Sequence, residues 1–171
     1  MRPVLSRLSL AVLVSSLVAA GCGGGNVDVA KALQVTDVIT GWFDAGIIMD
    51  AEGQKNKLVP TISFRLKNLH SEPIASVQLF AKFMQVGDPE NQEWGTPPYI
   101  RAIGPDGLAP GSSTEPLVLR SDLGHVGLQP RAQMLQNRHF ADARVELYVK
   151  YRANNWVKIG ERTIERQLLT K

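Results

Sequence analysis

Arg144-Val145-Glu146-Leu147-Tyr148-Val149-Lys150-Tyr151 alternates polar and apolar side chains without a slip. A period of two belongs to a β-strand with one face in a core and the other in water. The stretch predicts Val145, Leu147, Val149 and Tyr151 inside, with Arg144, Glu146, Tyr148 and Lys150 outside. Ala153-Asn154-Asn155 then predicts a hairpin turn, because asparagine tolerates left-handed backbone. Residues 156–168 predict the returning strand. Its apolar phase slips between Ile159 and Ile164, which predicts a bulge near Gly160.

The same pattern recurs upstream. Residues 61–67 set Ile62, Phe64 and Leu66 against Thr61, Ser63, Arg65 and Lys67, and residues 76–83 set Val77, Leu79, Ala81 and Phe83 against Ser76, Gln78 and Lys82. Residues 68–73 between them carry the Asn, Ser and Pro of a turn. Residues 33–40 and 42–49 read as two apolar strands, closed by the polar run 50–57. Residues 87–98 form a polar loop with Asp88, Glu90, Glu93 and Trp94. A short strand follows at 99–103, then the turn signals Gly104-Pro105-Asp106-Gly107 and Pro110-Gly111, and alternation resumes at Leu117 and Leu119. Residues 130–137 are the exception: Pro at a helix start followed by good helix formers predicts a short helix. Strands with turn signals roughly every 8–14 residues and almost no helix predict an all-β chain, an antiparallel β-sandwich of about 7–9 strands with one short helix near 130–137. A small barrel is the alternative. An outer-membrane barrel needs strands of about 9–11 residues with a lipid-facing apolar band, which the even apolar face here does not suit.

The first residues carry an address. Arg2 and Arg7 precede an uncharged run at 8–20, and Ala19, Ala20 and Gly21 are the small residues a signal peptidase needs. The run is too short to span a bilayer well, which takes about 20 apolar residues. Leu17-Val18-Ala19-Ala20-Gly21-Cys22 resembles the lipobox of bacterial lipoproteins, with Ala19 where leucine is usual. The resemblance implies cleavage between Gly21 and Cys22, a diacylglycerol thioether on Cys22 and an acyl chain on its new amino terminus, palmitate being the usual chain to trace. Two or more chains anchor firmly where one does not. Cys22 is also the sole cysteine, so it has no disulfide partner within the chain. Gly23 stands where the enterobacterial sorting scheme would need Asp for inner-membrane retention. The implied location is therefore the cell envelope, outer membrane rather than inner, facing the periplasm or the surface. The organisation follows: a signal peptide at 1–21, a Gly-rich tether at 22–32 and a sandwich domain at 33–171.

Between Asn68 and Gly111 the sequence resembles the FxLYD-type domains of exported bacterial proteins. The strand ending at Asn68, Pro73-Ile74 leading into Val77, Leu79 and Phe83, and Leu108-Ala109-Pro110-Gly111 carry that resemblance. Phe80-Ala81-Lys82-Phe83-Met84 stands where the family's aromatic-Leu-Tyr-Asp run would be. The resemblance implies an immunoglobulin-like sandwich without enzymatic activity.

Composition narrows function further. Without residues 1–21 the chain has 17 basic and 16 acidic residues, a formal charge of +1, so no nucleic-acid partner is expected. Residues 22–122 carry 8 basic and 12 acidic groups and residues 123–171 carry 9 and 4. That asymmetry suits either pairing of the halves or a basic C-terminal surface facing an acidic partner or lipid. His70, His125 and His139 are scattered, with no metal-ligand spacing, and read as surface residues. No Gly-x-Ser-x-Gly elbow is present. No cofactor, metal site or catalytic set is expected. Trp42 and Trp156 read as core or inter-sheet residues. Trp94 and Tyr99, on or beside the polar loop, are the candidate contacts to a protein partner in the envelope, with folding back onto the sheet the preferred reading of Trp94. The function expected is a lipid-anchored binding or scaffolding module. An accessory subunit of an envelope secretion or transport assembly is the alternative. A hydrolase with a dispersed site would need a deep pocket joining His125 or His139 to carboxylates.

Overall fold

The computed structural model describes residues 27–88, 90 and 93–169. Cys22, the signal segment and most of the tether lie outside the described residues. In chain order the elements are α1 (Val29–Ala32), β1 (Leu33–Asp50), β2 (Gly53–Asn68), β3 (Val77–Gln85), β4 (Tyr99–Ile103), β5 (Leu117–Arg120), β6 (His125–Gly127), α2 (Arg131–Gln136), β7 (Ala143–Tyr151), β8 (Val157–Thr163) and β9 (Leu168–Leu169). Among the described residues no helix is long and apolar enough to cross a membrane.

The strands form two sheets. One runs β5-β2-β1-β9, with β6 also pairing β2; the other runs β4-β3-β7-β8. Pairing is antiparallel except for β9, which runs parallel to β1. The inward sets are those that alternation predicts. Ile62, Phe64 and Leu66 of β2 pack with Val77, Leu79, Ala81 and Phe83 of β3 and Val145, Leu147 and Val149 of β7 in one buried cluster. Each such side chain contributes about 1.5–3 kcal/mol by leaving water, which is why register is strongly specified here. The chain is thus an all-β sandwich.

β1 corrects one expectation. The stretches at 33–40 and 42–49 are a single strand that pairs with β2 from Leu33↔Asn68 to Asp50↔Gly53, and the polar run at 50–57 holds the hairpin turn and the start of β2. Register shifts between Thr36 and Ile39 and between Asp44 and Ile47 break the period of two. Each bulge adds a residue and turns the pattern over, so one strand reads as two. The bulge expected near Gly160 is present: Leu147 pairs with Gly160 and Tyr148 with Lys158, leaving Ile159 extra. The β7–β8 hairpin supplies a second correction, since its left-handed residue is Arg152, at φ 52°, rather than an asparagine.

Asn68 closes β2. It is fully buried, and its Nδ2 donates to the carbonyls of Glu72 at 3.0 Å and Leu108 at 2.8 Å. Its Oδ1 accepts from the His70 N–H at 2.8 Å. One side chain thereby fixes the turns on both sides. Of the stretch read as tether, residues 29–32 form the single turn α1, with Val29 and Ala32 buried against the core.

The last elements fasten the fold. The Trp42 N–H donates to the Gln167 carbonyl at 2.8 Å, and Gln167 Nε2 donates to the Thr40 carbonyl at 2.7 Å. A Cβ on Gly41 would lie 2.8 Å from Leu169 Cγ and 2.9 Å from the Gln167 carbonyl oxygen, so glycine is what admits β9. Arg166 reaches the other way, donating to Asp142 at 2.6 Å and to the Phe140 carbonyl at 2.8 Å.

Candidate functional site

Two aromatic clusters lie on opposite faces of the chain's strands. The inner one centres on Trp42, which is fully buried. Its ring meets Phe140 at 4.5 Å, His125 at 5.4 Å and Trp94 at 5.7 Å between centroids, and His125 stacks on Phe140 at 3.9 Å. His125 is therefore half-buried, not the surface residue its isolation in the sequence suggests. Its Nε2 lies 2.9 Å from the Ala141 nitrogen and 3.1 Å from the Ala141 carbonyl oxygen, so the neutral ring can accept from the N–H and the protonated ring can donate to the carbonyl. Burial is the main force holding its pKa below the usual histidine value, opposed by the Ala141 carbonyl. Trp42 Nε1–H finds no acceptor among the described residues.

Beside this cluster is a cavity of about 440 Å³, lined among others by His125, Gly127, Met134, His139 and Phe140. It brings together the two histidines that a hydrolase reading would need. Its remaining lining is apolar or amide, and no carboxylate is part of it. Among the described residues no three His, Cys, Asp or Glu side chains converge into a metal cage.

Trp94 belongs to this inner cluster, so the loop folds back onto the sheet. Its N–H donates to the Phe83 carbonyl at 2.8 Å, and its carbonyl accepts from Ser121 Oγ at 2.8 Å. Asp122 Oδ1 accepts the Thr96 N–H at 2.8 Å, and that backbone donor is the main reason its carboxyl stays below the ordinary range. Gly95 is at φ 88°, where a Cβ would lie 2.1 Å from Asp122 Oδ1. The end of the loop is thus pinned, with Trp94 turned away from solvent.

The outer cluster is on the solvent face of the second sheet. Gln78, Phe80 and Lys82 of β3 share that face with Arg144, Glu146, Tyr148 and Lys150 of β7, as alternation predicts. Register then sets neighbours across strands. Phe80 pairs with Tyr99 of β4 and with Tyr148 of β7, and Gln78 pairs with Arg101 and with Lys150. An aromatic row and a polar row therefore lie side by side, about 7 Å apart at two residues of strand rise. Phe80 and Tyr148 stack at 4.8 Å and 7°. Trp156, one residue before β8, meets Phe80 at 4.7 Å and Tyr99 at 5.8 Å. Trp156 is 37% exposed and Tyr99 56%. This places Trp156 outside rather than in the core, a correction: the end of the β7–β8 hairpin lays its ring on the outer-face aromatics.

The two ends of the face differ electrically. Beyond Tyr148, Glu146 and Glu161 are matched by Lys158 and Arg144. Lys158 Nζ lies 2.7 Å from both carboxylates, and Arg144 Nη1 lies 3.1 Å from Glu161. Burial works against the charge of Glu146, but hydrogen bonds from Lys158 and Tyr148 outweigh it and hold the carboxyl below its usual value. At the other end a cavity of about 250 Å³ is lined by Ser76, Gln78, Arg101, Pro105 and Arg152. Neither Arg101 nor Arg152 makes an ion pair among the described residues; Arg152 lies 4.9 Å over the Tyr151 ring. Ser76 and Arg152 are both left-handed, at φ 58° and 52°, and the Arg152 N–H donates to the Ser76 carbonyl at 3.1 Å. Side chains at such angles cost roughly 1–2 kcal/mol each.

No family model matches the chain, and no curated protein matches it. Among solved structures, one described as the X-ray structure of Northeast Structural Genomics Consortium target SoR45 is similar over 80% of this chain and 88% of its own, at 10% identity and a TM-score of 0.40.

The sequence-chosen residues thus part company. Cys22 and Gly21 lie outside the described residues, Trp94 packs inward, and Tyr99 joins a surface with Trp156, Phe80 and Tyr148. Alternation marks Tyr148 as outward, but only the register and the hairpin put Phe80, Tyr99 and Trp156 beside it.

Proposed function

We propose that the chain is a lipid-anchored binding module of the bacterial envelope that acts without chemistry of its own. The acylated Cys22 would hold an immunoglobulin-like, FxLYD-type sandwich at the membrane, outer rather than inner, and the rigid second sheet would present its aromatic face to a partner. The observation that carries this reading is the open cluster of Tyr99, Trp156, Phe80 and Tyr148 on regular strands. Aromatics left on a rigid scaffold give large contact area for little lost side-chain freedom. Hydroxyl-radical footprinting of Trp156 and Tyr99 in isolated envelopes, against the purified full chain in detergent, tests it. Protection in the envelope is expected; equal labelling in both would remove the binding role. The anchor is tested separately by metabolic palmitate labelling. Label should enter the wild type and not Cys22→Ser, and label in both, or in neither, sinks the lipoprotein reading.

A second reading, the accessory subunit of an envelope secretion or transport assembly, is favoured by Ile47 and Met49, two residues apart on β1 and 57% and 70% exposed. Apolar surface of that kind marks contact sites when it is contiguous. Co-purification of a stoichiometric partner from detergent extracts, lost in Met49→Lys, is the expected outcome; monomer alone would count against it.

A further inference from the structure

Resting on the binding reading, we infer that the outer face of the β4-β3-β7-β8 sheet is a site for an acidic saccharide, whose ring packs on the Trp156 and Tyr99 rings while its carboxylate enters the Arg101–Arg152 cavity. The face is polarised in a way that selects such a ligand. Its centre is aromatic, and one face of a pyranose ring is a patch of C–H groups that packs against aromatic carbon while its hydroxyls remain free to bond at the edges. Its one end with unmatched charge is cationic: Arg101 and Arg152 line the cavity with Ser76 and Gln78, and Lys150 stands opposite Gln78 in the register, 6.0 Å from the Trp156 ring centre. A guanidinium recognises a carboxylate through two parallel N–H bonds, and Ser76 and Gln78 supply a hydroxyl and an amide for ring oxygens.

The opposite end argues against a polyanion. Glu146 and Glu161 lie on the same face two residues from Tyr148 along the strand register, and their charge is already balanced by Lys158 and Arg144. A nucleic-acid strand needs a basic groove that tracks its whole backbone, and an anionic bilayer needs a broad basic patch. Here one negative group beside one apolar ring face is what the charges match. The backbone gives an independent sign. Arg152 keeps a left-handed φ that glycine would adopt freely, at the position whose side chain lines the cavity. Strain retained at a ligand-facing residue is characteristic of binding sites.

Binding of the full chain in detergent to a panel of uronate and sialate oligosaccharides, each beside its methyl ester, tests the inference by isothermal titration calorimetry. At least one acid should bind about tenfold or more tightly than its ester, a difference of about 1.4 kcal/mol. Trp156→Ala and Arg101→Ala should each lose that binding. Arg152→Gly should lose it too while melting at the same or a higher temperature, because it removes the strain; this variant keeps the test clear of misfolding. Binding to none of the acids overturns the inference, as does equal binding of acid and ester, unchanged affinity in Arg152→Gly, or tighter binding to phosphatidylglycerol vesicles or an oligonucleotide. Footprint protection of Trp156 in envelopes that added acidic saccharide fails to compete away would leave the binding module standing and reject the saccharide alone.

Discussion

The Trp42 cluster and the Trp156 cluster use the same contacts, ring centroids about 4–6 Å apart with edge-on and stacked pairs, and they do opposite work. Around Trp42 the rings are enclosed by β1, the 93–98 loop and the chain before β7, and even a histidine is half-buried among them. Around Trp156 the rings are held in a row by register and left open on one side. The contrast shows that an aromatic group's contribution follows from what covers it. Covered rings turn their area into stability, and uncovered rings leave part of it in water.

The largest break in that comparison should come from Trp42→Ala. Emptying a fully buried indole site is expected to cost about 3–5 kcal/mol, read as a fall in the urea midpoint without a change in slope. Trp156→Ala should cost about 1 kcal/mol or less, since a half-open ring has less transfer energy to lose. Equal losses at the two sites would erase the distinction. The Phe80–Tyr148 stack sharpens it from the other side: a double-mutant cycle with alanine at both positions should return a coupling of about 0.5–1.5 kcal/mol. A coupling near zero would mean that the outer row is not pre-formed.

The smallest effect is the dependence on pH. The folded His125 titrates below its ordinary value near 6.5, chiefly because it is buried. Its stabilising contribution is fully present above that value. It is lost as pH falls from there through the folded pKa, because the unfolded chain takes up the proton first. Urea midpoints measured from about pH 7.5 down to about pH 5 should decline more steeply in the wild type than in His125→Phe, and parallel curves would show the ring to be solvated. Trp156→Ala should leave the slope as it is.

Much of this was legible in residues 61–67, 76–83 and 144–151, where unbroken alternation names the buried set one by one. The bulge beside Gly160 was legible as a departure from that rhythm, and the helix at α2 from Pro130 and the helix formers after it. β1 was not, because its two bulges invert the alternation within one strand. β6 and β9 are too short to show a period at all. The outer site was half legible: alternation marks Tyr148 and Gln78 as outward, but their neighbours across the sheet depend on register. That register is set partly by the shift between Val77 and Gln78 in the β3–β4 pairing and the one between Leu147 and Tyr148. Trp156 misled because hydrophobicity predicts burial without saying on which face, and His125 because its aromatic shell comes from β1, the loop and the segment before β7.

The closure of β1 by residues 165–169 has a kinetic consequence. The bonds that complete it join partners 123 to 127 residues apart, from Thr163, Glu165 and Gln167 to Thr40. Loops of that length form late, and chains dominated by such contacts fold slowly for their size. Until Gln167 arrives, the Trp42 N–H and the Thr40 carbonyl lack these partners, and the β9 side of β1 stays unpaired there. Refolding from urea should accordingly be slow, and Gln167→Ala should chiefly speed unfolding while leaving the refolding rate nearly unchanged, as stopped-flow fluorescence would record.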